Sequence, residues 1–126
     1  MEAQWGQTAP IEDAIVLAGG KGTRLRAAVS GVPKPLAPIG GTPFLSYLLR
    51  WLEKGGVRRT VLSIGHMGSQ IVAAVGDSFG RMSIAYSAED EDAPLGTGGA
   101  ARRAMAMCSA PHVILMNGDT FFDASL

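Results

Sequence analysis

The chain of 126 residues carries eleven Lys and Arg against eleven Asp and Glu, a formal net charge of zero, so it lacks the general electrostatic footprint of a nucleic-acid or anionic-membrane binder, and any anion must be held locally. This length supports one domain with a real core, burying roughly two-thirds of its unfolded surface. The single Cys108 excludes an internal disulfide and a cysteine metal site, and with no membrane-spanning run and no secretory leader the reading is a soluble, cytoplasmic protein.

Residues 1–12 carry Gly, Gln, Thr and Pro without periodicity and read as a flexible lead-in, Trp5 apart. A nearly all-apolar strand over Ala14 to Leu17 suits a central position covered on both faces. It ends abruptly in Gly19, Gly20 and Gly22, and the next cations are Lys21, Arg24 and Arg26, the pattern by which a buried strand delivers backbone N–H groups to an anion. A Walker-type phosphate loop is excluded, because Gly20-Lys21 is followed by Gly22 and the earlier glycine position is Ile15. The dinucleotide fingerprint fails as well, since its third glycine would fall on Leu25.

From Ala27 to Gly41 the prolines and glycines predict a loop, in which Pro33 and Pro35 restrict the backbone on both sides of Lys34. Thr42-Pro43 reads as N-cap and first helical position of a helix whose apolar face runs from Phe44 to Leu52, with Gly55-Gly56 as its stop. A strand follows over Thr60 to Ile64, then a turn containing His66 and a short helix through Val75. His66 reads as a turn residue rather than a ligand. A third strand over Met82 to Tyr86 leads into the acidic loop Glu89 to Asp92, and a further helix is predicted over Ala101 to Met107 with Thr97 as its cap. Cys108 is expected to be a small apolar residue of that helix. The last strand, His112 to Met116, ends in Asn117-Gly118-Asp119, where an open α/β sheet places its ligands.

Leu17-Ala-Gly-Gly-Lys-Gly-Thr-Arg-Leu25 and Pro33-Lys-Pro35, followed by Leu95-Gly-Thr-Gly-Gly-Ala100 and Gly118-Asp119, occur in the order that marks one family. The chain resembles the sugar-phosphate nucleotidyltransferases, which join a nucleoside triphosphate to a sugar 1-phosphate and release pyrophosphate. The resemblance covers residues 13–126 and implies an α/β, Rossmann-like nucleotidyltransferase fold with a mainly parallel sheet flanked by helices. It implies an enzyme in which Arg24 and Lys34 act on the reacting phosphates. Leu17, Ala18, Gly19, Gly20, Gly22, Thr23, Gly96 and Thr97 would surround the nucleotide, and Asp119 would hold Mg²⁺. Lys21 falls on a variable position of the motif.

The family's base-reading side chain lies five residues before the first glycine of Leu-Gly-Thr-Gly-Gly, which is Glu91 here. A carboxylate offers only acceptors and matches the adjacent N1–H and N2–H₂ donors of guanine, so GTP is favoured. The texture of Pro33 to Pro38, Pro43 to Tyr47 and Asn117 to Phe122 most resembles that of the guanylyltransferases acting on heptose 1-phosphate, with mannose 1-phosphate, uridylyl and thymidylyl relatives as competitors. The expected partners are GTP and a sugar 1-phosphate, without nucleic acid or membrane, and with a homo-oligomer left open.

Family members continue past the Gly-Asp motif into a sugar-binding half with a second metal-binding Asp. The chain is therefore expected to be C-terminally truncated, an N-terminal, nucleotide-binding half that binds nucleotide weakly and turns over poorly. A non-catalytic nucleotide-binding regulatory module is the rival from another class. It has no need of Arg24, Lys34 and Asp119, all of which are present.

Overall fold

The computed structural model describes residues 11–19, 31–65, 67–89 and 96–118. Five strands form one sheet, in the order β5 (Ser78–Phe79), β6 (Met82–Ala88), β4 (Arg59–Ile64), β1 (Asp13–Leu17) and β7 (Val113–Asn117), and a two-stranded hairpin of β2 (Pro38–Ile39) and β3 (Thr42–Pro43) stands apart from it. The central strand, β1 (Asp13–Leu17), pairs in parallel with β4 (Arg59–Ile64) on one side and with β7 (Val113–Asn117) on the other. β6 (Met82–Ala88) extends the parallel ladder from β4, and β5 (Ser78–Phe79) closes that edge in antiparallel register. The fold is thus mixed α/β with a mainly parallel sheet between helices, as the sequence predicts.

The register places Ile15 opposite both Val61 and Leu115, so alternate residues of β1 face opposite layers. Ala14 and Val16 meet Leu62, Ile64 and Met116 in a layer closed by α1 (Phe44–Lys54) and α2 (Gly68–Val75). α1 delivers Leu45, Leu48, Leu49 and Leu52, all fully buried, each contributing roughly 1.5–3 kcal/mol of transfer free energy. On the opposite face Ile15 and Val61 pack against Ala104 of α3 (Gly96–Met105). The small residues Ala100, Ala101 and Ala104 let this helix lie close to the sheet.

The buried carboxylate at the start of β1 has a local explanation. Asp13 Oδ2 accepts the backbone N–H groups of Ser109 (3.3 Å) and Ala110 (3.4 Å), tying the segment after α3 to the amino edge of the sheet.

Three expectations about the elements are corrected. Thr42 and Pro43 form β3 (Thr42–Pro43), which pairs with β2 (Pro38–Ile39), so Thr42 is not a helix cap. α1 begins at Phe44, whose N–H is taken by Ala37 O at 2.9 Å instead of by a capping side chain. α3 starts at Gly96 rather than Ala101, which makes Thr97 its second residue rather than its cap. It also stops at Met105, so Cys108 lies in the turn beyond, with its N–H bonded to Met105 O at 3.0 Å. There burial, and secondarily the Asp13 carboxylate, raises the thiol pKa against the opposing pull of Arg59, the setting of an inert rather than a nucleophilic cysteine. Among the described residues no helix is long and apolar enough to cross a membrane.

Candidate active site at the carboxyl ends of the strands

Parallel pairing brings the carboxyl ends of β1, β4, β6 and β7 to one edge of the sheet. The chain builds outward from β1 through β4 to β6 and then returns to place β7 on the other side of β1. Open α/β sheets bind ligands at such a reversal, in the crevice outside the carboxyl ends of the strands.

The ladder runs slightly past the strand ends. Ala18 N–H donates to Ser63 O (2.8 Å), Gly118 N–H to Leu17 O (2.9 Å), and Glu89 N–H to Ile64 O (2.9 Å). Near these bonds lie three glycines at which an added Cβ would be crowded. A Cβ on Gly118 would stand 3.2 Å from Leu17 O and 3.3 Å from Val16 Cγ1. A Cβ on Gly19 would meet Glu89 Oε1 at 3.1 Å and Gly65 N at 3.3 Å, and one on Gly65 would meet Glu89 Cγ at 3.1 Å. The ends of β1, β4 and β7 therefore meet in a close-packed glycine floor, with the Glu89 side chain lying against Gly19 and Gly65. Glycine lets these strand ends approach one another, and Glu89 brings a carboxylate to the same edge.

The turn after β4 is unusual in its own right. Met67 adopts a left-handed conformation (φ 59°), and among the described residues no other non-glycine has a positive φ. Such a residue costs about 1–2 kcal/mol and is held by its surroundings. Here Gly68 N–H donates to Gly65 O (2.9 Å), closing the turn that carries Gly65 to the crevice.

Of the residues that the sequence points to, Leu17, Ala18, Gly19 and Gly118 come together at the ends of β1 and β7. Gly96 and Thr97 open α3, which leaves the carboxyl end of β6 and returns to the amino end of β7, so its first turn faces the same edge. The orphan N–H groups of a helix start favour an anion. Lys34 is placed by a separate device. It opens a single 3-10 turn (Lys34–Leu36) between the buried Pro33 and Pro35, closed by Leu36 N–H to Pro33 O (2.9 Å) and Ala37 N–H to Lys34 O (3.0 Å). Gly20, Gly22, Thr23, Arg24, His66, Glu91 and Asp119 lie outside the described residues, as does Lys21.

Counting back from a glycine motif singles out Glu91 and passes over Glu89. The signal that finds Glu89 is the length of β6, which runs to Ala88 and carries the next residue to the sheet edge. Among the described residues no group of three or more His, Cys, Asp or Glu could hold a metal ion.

The chain is 44% identical over 110 residues to the D-glycero-α-D-manno-heptose 1-phosphate guanylyltransferase of Aneurinibacillus thermoaerophilus, a match covering 87% of this chain and 47% of that protein. The enzyme of the same name from Campylobacter jejuni is 41% identical over 113 residues, covering 90% and 50%. The crystal structure of HddC from Yersinia pseudotuberculosis complexed with GMP-PN superposes with a TM-score of 0.75 at 37% identity, covering 86% of this chain and 48% of that one. The chain thus spans about half the length of the relatives it matches. The model of the MobA-like NTP transferase domain matches residues 14–126, and the chain belongs to that family.

Proposed function

We infer that residues 13–126 form the nucleotide-binding half of a sugar-1-phosphate guanylyltransferase, which transfers GMP from GTP to a sugar 1-phosphate, heptose 1-phosphate favoured, and releases pyrophosphate. The observation that carries this reading is the close-packed glycine floor at the reversal of the sheet, from which Gly19 leads in sequence directly into Gly20-Lys-Gly-Thr-Arg24. The named guanylyltransferase relatives support the choice of reaction.

The reaction is an in-line attack by an oxygen of the sugar phosphate on the α-phosphorus of GTP, with the P–O bond to pyrophosphate breaking as the new one forms. Two anions must be brought together, so the protein's work is positioning and charge stabilisation. Backbone at Gly19, Gly20, Gly22 and Thr23 would cradle the triphosphate, and the start of α3 at Gly96 and Thr97 would add N–H groups. Arg24 would hold the β- and γ-phosphates and stabilise the departing pyrophosphate. Lys34 would neutralise the phosphates between which the bond is made.

Asp119 would hold Mg²⁺, a hard cation that takes one or two carboxylates and completes its shell with substrate phosphates and water. When bound, the ion supplies charge neutralisation on the phosphates. We place the reaction in the cytoplasm.

Two carboxylates compete for the guanine edge. Glu91 has the motif spacing, and Glu89 lies against the crevice floor at Gly19 and Gly65, which makes Glu89 the preferred reader. Hydrogen bonds to a charged group discriminate by about 10- to 100-fold. Calorimetric titration of Glu89→Gln and Glu91→Gln with GTP and ATP tests the assignment. Glu89→Gln is expected to lose most of the preference for GTP while Glu91→Gln keeps it. The opposite pattern returns the role to Glu91, and preference retained in both removes the carboxylate from base reading.

A further inference from the structure

The lysine that the proposed reaction needs sits on a long, flexible side chain, and its usefulness depends on how firmly its backbone is held. The firm element nearby is α1, whose Leu45, Leu48, Leu49 and Leu52 are fully buried. Two bonds connect that helix to the Lys34 segment. At its first residue, Phe44 N–H donates to Ala37 O (2.9 Å), and Ala37 N–H in turn donates to Lys34 O (3.0 Å). One turn further on, Tyr47 Oη donates to Ile39 O at 2.9 Å.

The second bond spans the β2-β3 hairpin. Its turn, Gly40-Gly41, has φ of 61° and 85°, values that favour glycine, and Ile39 at its entrance is 52% exposed. Without an anchor, so short a hairpin has little to hold it, because two-residue strands bury almost nothing. Tyr47 supplies that anchor from the helix and fixes the far side of the hairpin, while Phe44 fixes the near side.

We propose that Tyr47 is a positioning residue for Lys34: its hydroxyl, bonded to Ile39 O, clamps the hairpin to α1 and thereby fixes the turn that presents the lysine to phosphate. This role rests on the reading of Lys34 as a phosphate-binding residue. It goes beyond a mere strut because it makes the effect of Tyr47 conditional on Lys34.

The test is a double-mutant cycle on the full chain, with GTP and Mg²⁺ titrated calorimetrically into the parent, Tyr47→Phe, Lys34→Ala and the double variant. Tyr47→Phe removes one hydroxyl and keeps the ring. It is expected to weaken GTP binding about threefold, the size of one partly exposed hydrogen bond. In the Lys34→Ala background it is expected to have no further effect. The same threefold loss in both backgrounds overturns the proposal, as does a silent Tyr47→Phe beside a damaging Lys34→Ala. A silent Lys34→Ala fails the reading of the lysine itself, a distinct result that takes the role of Tyr47 with it.

A ligand-free arm is acylation of surface amines by an N-hydroxysuccinimide ester, followed residue by residue by mass spectrometry. The labelling of Lys34 relative to Lys54, at the exposed end of α1, is expected to rise about twofold in Tyr47→Phe as the clamp is lost. An unchanged ratio overturns the proposal even where no nucleotide binds.

Discussion

Lys34→Ala is expected to weaken binding of Mg²⁺–GTP by about 10- to 100-fold, the loss that follows removal of one charged hydrogen-bond partner from a phosphate. The lysine is carried by a turn closed by Leu36 N–H to Pro33 O and Ala37 N–H to Lys34 O, backbone bonds that Lys34→Ala keeps. Lys54→Ala, at the solvent-exposed end of α1, is the control and is expected to bind as the parent does. Calorimetry separates the two, and equal affinities for parent and Lys34→Ala would remove Lys34 from the site. In a form that includes the part found in the longer relatives, the same substitution is expected to slow pyrophosphate release.

Leu48→Ala is expected to destabilise the fold by about 2–5 kcal/mol, a large share of the roughly 5–15 kcal/mol that a domain of this kind has in total. Leu48 is fully buried in the layer between α1 and the sheet, so its removal leaves a cavity as well as losing transfer free energy. By thermal unfolding the midpoint is expected to fall by about 10 °C or more. Leu115, on β7 and 50% exposed, provides the contrast: Leu115→Ala is expected to change stability by no more than about 0.5 kcal/mol. Equal losses at the two positions would contradict the described core.

Periodicity made the larger elements legible. The apolar runs of β1, β4 and β7 and the leucine face of α1 are burial written directly into sequence, and parallel pairing followed from their alternation with helices. The two short hairpins were not legible, because β2, β3 and β5 are two-residue strands held by backbone bonds with no apolar pattern of their own. Thr42-Pro43 carried a helix-start signal that the β2-β3 hairpin overrode. The four residues from Gly96 to Gly99 carry three glycines and argue against a helix, yet α3 includes them, since packing of Ala100, Ala101 and Ala104 on the sheet outweighs weak local propensity.

The site divided along similar lines. Gly19 and Gly118 were legible as strand-end glycines, and the structure adds that both are closely surrounded. Gly65 and Glu89 belong to the floor without belonging to a motif, and spacing alone had no means of finding them. They meet only because β4 and β6 are neighbours whose ends coincide, with Ile64 opposite Ala88.

We propose that the glycine floor and the segment that follows Gly19 form a guanine-nucleotide site. Calorimetric titration of this chain with GTP, UTP, dTTP and ATP, each with Mg²⁺, tests it most directly. Measurable binding is expected, with GTP preferred by about tenfold or more, the discrimination of a carboxylate that accepts from guanine. Equal affinity for all four, or a preference for UTP or dTTP, would contradict it.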